Sequence, residues 1–144
     1  MSVDYGEART GLAACDRTEF LASPLGTLKE RDFAQLVTKI VYTAREYDVE
    51  MIVVGLPINM DGSHGEKAQK CERLAECLRK LLPIPVELWD ERQTTMQAAT
   101  YLNETNVRGQ KRKDVIDEVA ATIILESYLA YRKNQKEKES SSKK

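Results

Sequence analysis

The run Met51-Ile52-Val53-Val54 sets four apolar side chains in a row and ends in Gly55-Leu56-Pro57. A strand that is apolar at successive positions has no face suited to water. It belongs inside a sheet covered on both sides, the condition of parallel strands flanked by helices. The neighbouring sequence supplies such helices. Phe33, Leu36, Val37, Ile40, Val41 and Ala44 recur at helical spacing and predict a helix over 30–47, with Asp32 supporting its first turn. Ala68, Cys71, Leu74, Ala75, Leu78 and Leu81 or Leu82 predict a second helix, stopped by Pro83 and Pro85.

Upstream lies a different pattern. A short apolar run ends at Asp4, a glycine turn follows at Gly6, and 10–15 reads as a returning strand, so the chain opens on a hairpin. Residues 19–28 read as a third strand with a kink at Pro24, which suits an edge position or a strand end. Downstream, 86–89 is a short strand that stops at Asp90-Glu91-Arg92. Thr94 or Thr95 can cap a helix to about 102, 103–113 reads as a polar, basic loop, and Asp114 can cap a last helix over 115–131. Three sequential strands followed by alternating helices and strands predict an α/β domain over 1–132. Its five-stranded mixed sheet would join an antiparallel meander to a parallel half, with helices on its faces. Residues 133–144 have no apolar periodicity and are expected to be a disordered Lys/Ser-rich tail.

The chain of 144 residues is 42% hydrophobic, enough for one domain with a real core. No apolar run is long enough to span a bilayer and no secretory leader opens the chain, so a cytoplasmic protein with no membrane partner is expected. Cys15, Cys71 and Cys77 form neither a CxxC pair nor a zinc-ligand spacing, and read as reduced thiols. His64 is the only histidine and lies in a polar loop, which leaves no partner motif for a triad or a histidine-rich metal site. The net charge is −1, so a polyanion would have to be met by local patches, of which Arg108-Gly109-Gln110-Lys111-Arg112-Lys113 is the clearest.

With histidine and cysteine set aside, the candidate chemistry belongs to carboxylates. Asp4 ends the first strand, Asp90 and Glu91 follow the strand ending at Trp89, and Asp117 shares a helical face with Ala121, Ile124 and Tyr128. An acid on the inner edge of an apolar helix is costly unless it is paired, protonated or metal-bound. Carboxylates with water suit magnesium or manganese. Two such ions about 3.5–4 Å apart can activate water and stabilise both oxygens of a phosphodiester displacement. Each acid alone also has an ordinary role: Asp90 as a helix cap, Glu91 as a turn residue or a partner of Arg92, and Asp117 as a partner of Arg112 or Lys113.

Four motifs in order carry a family resemblance. Asp4-Tyr5-Gly6, Arg9, Gly11 and Ala13 open it. Gly55-Leu56-Pro57 with Met60-Asp61-Gly62 and Gly65 follows. Asp90-Glu91-Arg92 with Thr94-Thr95 comes third. Lys113 with Ile116-Asp117, Ala120-Ala121, Ile124-Leu125 and Tyr128-Leu129 closes it. Over nearly all of the chain before the tail, the sequence resembles the YqgF/RuvX family, nucleases related to Holliday-junction resolvases.

The resemblance implies a ribonuclease H-like fold and a Mg2+- or Mn2+-dependent hydrolase acting on ester bonds. Its nucleic-acid partner would be precursor 16S ribosomal RNA, processed at the 5′ end during ribosome biogenesis, or branched four-way DNA. It also implies that Asp4 bridges the metals, Glu91 completes the site and Asp117 holds the second metal, with Asp90 replacing or supporting Glu91. Arg9 and Arg92 would face phosphate or hold loops. Arg108, Lys111, Arg112 and Lys113 would meet the nucleic-acid backbone, where contacts position rather than specify.

The family's first strand usually begins a few residues earlier. Three residues before Asp4 make only about 10 Å of strand, so the expectation is either a sheet edge that frays there or a natural start lying upstream, and either would loosen Asp4. The competing classes are an actin-like ATPase, for which 144 residues leave no room for a nucleotide clamp, and a non-catalytic RNA or ribosome-assembly binder. The sequence leaves monomer and homodimer both open.

Overall fold

In the computed structural model, β4 (Ile52–Leu56) is buried at all five positions and runs parallel to both of its neighbours, β1 (Ser2–Asp4) and β5 (Val86–Asp90). The structure describes residues 1–16, 18, 19, 21–93 and 109–142, with side chains described over 119–138 in the last stretch. On the other side of β1 the sheet continues antiparallel through β2 (Arg9–Cys15) to β3 (Ala22–Lys29), giving the order β3-β2-β1-β4-β5. The expected mixed sheet, an antiparallel meander joined to a parallel half, is therefore present.

The expectation of a frayed first strand is corrected. β1 has only three residues, but it is the middle strand of five, with Ser2 and Val3 fully buried. Ladder bonds on both sides hold it, and the Met1 carbonyl accepts from Val53 N at 2.9 Å. A short strand frays at an edge, where one row of backbone groups faces water; an interior strand has no such row.

The edges are instead β3 and β5. Pro24 sits in β3 opposite Ala13, as proline's missing donor requires. The register slips between Leu12, paired with Gly26, and Ala13, so Leu25 bulges out of the ladder. Gly26 takes φ +137, a conformation open to glycine and strained for other residues.

Alternation along the strands divides the core into two layers. Val3, Leu12, Val54 and Leu56 pack with Leu36 and Ile40 of α1 (Phe33–Glu46) and with Leu74 and Leu78 of α2 (Glu66–Leu81). Ala13 and Val53 face the opposite way, toward Ala121, Leu125, Ile124 and Tyr128 of α3 (Gly109–Ser142). Leu36, Ile40, Leu74 and Leu78 are each almost completely removed from water, which stabilises the fold by about 1.5–3 kcal/mol per side chain. Asp32 caps α1, its carboxylate accepting from Gln35 N at 2.9 Å.

Two boundaries differ from expectation. The last helix begins at Gly109, so Lys111, Arg112 and Lys113 lie on helical backbone and not in a loop. Gln, Lys and Arg are strong helix formers, and nothing between Gln110 and Asp114 interrupts them. The helix also continues through Ser142, where the sequence led us to expect disorder. Extending a packed helix needs no new nucleus, and the extension is tied down where Arg132 Nε and Lys136 Nζ reach Glu19 at 3.1 and 3.2 Å. The helix expected from Thr94 or Thr95 to about 102 lies outside the described residues, as does Arg108.

Candidate active site at the rim of the parallel strands

The parallel register brings the acids to one end of the sheet. Val3 stands beside Val54, so one residue further on Asp4 stands beside Gly55, and Gly55 in turn pairs with Trp89. Asp4 and the end of β5 are thus two strand spacings apart, about 10 Å between backbones. Glu91, in a single 3-10 turn (Glu91–Gln93) directly after β5, shortens that gap. A Cβ built on Gly55 would lie 2.6 Å from Glu91 Oε1 and 2.6 Å from Ile124 Cδ1. The Glu91 carboxylate therefore lies over the bare backbone of β4, on the side of α3 and leaning toward Asp4.

Face alternation gives the same result for Asp4. The Ser2 hydroxyl donates to the Ala121 carbonyl at 2.6 Å, so Ser2 faces α3, and Asp4, two residues on, shares that face. Asp90 belongs to the opposite face. Its carboxylate is held by Arg92 through Nη2 at 2.8 Å and Nε at 3.0 and 3.1 Å, and it also accepts from Arg92 N at 2.9 Å. This guanidinium holds the Asp90 carboxyl below the usual carboxylate range. Asp90 and Arg92 thus form a pair with each other, on the far side of the strand from Asp4 and Glu91.

Cys71 of α2 lies within electrostatic reach of both acids. Its thiol is pushed up to about 12, first by burial and then by the nearby Glu91 and Asp4 carboxylates, with Lys67 acting in the opposite sense. It remains a neutral thiol at physiological pH, and a thiolate is what a soft metal would need. The donor set at this rim is consequently all carboxylate oxygen, which fits a hard divalent cation. Among the described residues no group of three His, Cys, Asp or Glu side chains could hold a metal. A third carboxylate would have to come from Asp117, whose backbone lies on α3 and whose side chain is outside the described set. Asp117 stands two turns before Ile124 on the stripe it shares with Ala121 and Tyr128, and all three of those side chains are buried against the sheet.

The remaining candidates are placed as follows. Arg9 opens β2 after the Gly6 turn and is partly buried. The turn is tight: a Cβ on Gly6 would come 2.2 Å from the Arg9 carbonyl oxygen. His64 is exposed and pairs with Glu72. Trp89 donates to Ser127 Oγ at 3.2 Å and packs edge-on against Tyr128, whose hydroxyl donates to Glu87 at 2.7 Å. These contacts brace α3 across β5 and so fix the helix that carries Asp117. The role of Gly55 is not legible in the motif that contains it. A glycine closing an otherwise apolar strand was the available signal, since glycine in a strand often marks a close approach.

The strand order, with an antiparallel meander feeding a parallel half and helices on both faces, defines a ribonuclease H-like domain. Solved structures agree: "T. thermophilus RuvC in complex with Holliday junction substrate" superposes with a TM-score of 0.57 at 13% identity, covering 90% of this chain and 92% of that one. A second Thermus thermophilus RuvC structure gives 0.52 at 12% identity. The chain belongs to the RuvX family, described as Holliday junction resolvase, whose model matches residues 1–131. A relative from Caldanaerobacter subterraneus subsp. tengcongensis, named "Putative pre-16S rRNA nuclease", is 43% identical over 93% of this chain and 97% of its own length. One of the same name from Syntrophus aciditrophicus is 41% identical over 90% of this chain and 86% of its own.

Proposed function

We propose that residues 1–132 form a divalent-metal-dependent nuclease, a cytoplasmic hydrolase of phosphodiester bonds that trims the 5′ end of precursor 16S rRNA. The observation that carries this reading is the Glu91 carboxylate lying over Gly55 toward Asp4, on the face covered by α3. Asp4, Glu91 and Asp117 would hold Mg2+ or Mn2+. When bound, the metal supplies an activated water and stabilises the charge on the leaving oxygen. The protein's share is placement. β1, held between two strands, ends at Asp4, Gly55 leaves room for Glu91, and the Trp89–Tyr128 contact braces α3. A bound cation would offset the repulsion among carboxylates brought to one rim. Arg9, Arg108, Lys111, Arg112 and Lys113 would steer the phosphate backbone to this rim. Arg92 would act there only by exchanging Asp90 for a phosphate.

The test uses a precursor rRNA 5′ fragment and a four-way DNA junction side by side, in manganese. Wild-type protein is expected to cleave the RNA. Asp4→Asn and Glu91→Gln are expected to lower the rate at least 100-fold while leaving the metal-free melting temperature unchanged or raised. Cleavage of the junction alone would assign the resolvase activity instead. RNA binding that is equal with and without metal, and without cleavage, would make the protein a binder. Wild-type activity in Asp4→Asn would refute the site.

A further inference from the structure

A cleft of about 360 Å3 opens between the β1–β2 turn and the first turns of α2, lined by Gly6, Glu7, Glu66, Lys67 and Lys70. Its wall begins two residues beyond Asp4. Three of its charges are engaged with one another: Lys70 Nζ lies 2.6 Å from Glu7 Oε1 and 3.7 Å from Glu66 Oε1. The Glu7 carboxyl is held low, chiefly by Lys70, with Arg31 and Lys67 adding to the effect. Lys67 differs. It is exposed and, among the described residues, makes no hydrogen bond or ion pair.

Lys67 is also close to the acids. It stands one helical turn before Cys71, and the Cys71 thiol feels Lys67, Glu91 and Asp4 together. An exposed ammonium in a cleft that opens beside the acid rim suits an anion on the substrate. Lysine binds phosphate as a point charge with three rotatable donors. Gly6 lines the cleft, and its tight turn sets the cleft beside the end of β1.

We propose that Lys67 is a substrate-positioning residue that holds a backbone phosphate flanking the scissile one, as the strand leaves the metal rim through this cleft. This assignment rests on the nuclease reading of Asp4 and Glu91. The chemistry recognised is the phosphodiester backbone, common to RNA and DNA.

The test compares Lys67→Ala and Lys67→Arg with Lys80→Ala, a control at the far end of α2. Binding of single-stranded RNA and of single-stranded DNA is titrated against salt in an Asp4→Asn background, and cleavage is measured in the Asp4 protein. Lys67→Ala is expected to weaken binding about 3–10-fold and to reduce the log–log salt slope by about 0.7, with Lys67→Arg restoring both. In cleavage the loss should appear mainly in KM, with kcat changed less. A slope and KM in Lys67→Ala equal to those of Lys80→Ala would overturn the assignment while wild-type cleavage left the nuclease reading standing. Absence of wild-type cleavage in both substrates would overturn the nuclease reading, and the assignment with it. An equal effect on RNA and DNA would support phosphate recognition; an effect confined to one sugar would refute it in favour of recognition of the 2′ position.

Discussion

Gly55→Ala tests the geometry of the site with one added methyl group. The new Cβ would lie 2.6 Å from both Glu91 Oε1 and Ile124 Cδ1, whereas ordinary contact begins at about 3.4 Å, so each neighbour must retreat about 0.8 Å. The Ile124 side chain is 2% exposed and sits in a packed layer with Val53 and Tyr128, so its retreat is resisted. Overpacking of this kind costs about 1–3 kcal/mol, which for a chain of this length lowers Tm by roughly 3–12 °C. Glu91 lies nearer the rim and moves more readily, but a ligand displaced by nearly 1 Å can cost about 100-fold in rate. The two effects separate in the double variant Gly55→Ala/Ile124→Val, because Ile→Val deletes the methyl group in the way. Calorimetry should show Tm largely recovered in the double variant. Cleavage in manganese should remain depressed, with partial recovery at high metal concentration. A Gly55→Ala protein with native Tm and native cleavage would refute the claim that the Glu91 carboxylate is held over β4.

The alkaline limb of stability should reflect Cys71 and Tyr128. Both are acids whose pKa is raised to about 12 in the fold, mainly by burial. Their contribution is complete below the ordinary thiol value of 9.0 and is lost as pH climbs from there toward 12, because the unfolded chain releases its protons first. Urea midpoints should fall over that window, and fall less steeply in Cys71→Ser. Asp32→Ala removes the Gln35 cap of α1 and should cost about 1 kcal/mol, seen as a Tm about 3–4 °C lower. Glu19 sits at φ 57 while it holds Arg132 and Lys136. Glu19→Gly should relieve about 1 kcal/mol of backbone strain and leave Tm unchanged or higher, yet speed amide exchange over residues 132–142. Glu19→Ala should speed exchange without that relief.

Much of the fold could be read from side-chain period. The apolar stripe of 33–44 became α1, the unbroken run at 51–54 became a parallel strand buried on both faces, and Pro24 marked an edge. What could not be read depends on partners distant in sequence. The bulge at Leu25 is set by where Leu12 and Ala13 stand on the neighbouring strand. The central place of β1 follows from pairing with residues 51 positions away, so counting its own length misjudged its security. The sequence left Asp90 and Glu91 as alternatives because they are adjacent. The structure separates them, since alternation puts one with Arg92 and the other over Gly55. The start of α3 was misplaced because a basic cluster reads equally as a solvated loop or as good helix-forming residues.

The central strand carries a consequence for how the enzyme would fail. β1 is enclosed on both sides, so its amides can reach solvent only when neighbouring strands part, and that amounts to opening the whole domain. The strand that carries Asp4 therefore has no partial route to disorder. Heat or urea should inactivate the protein along the same curve that unfolds it, with no window in which a folded but silent population accumulates. Recovery on cooling should likewise return activity and structure together.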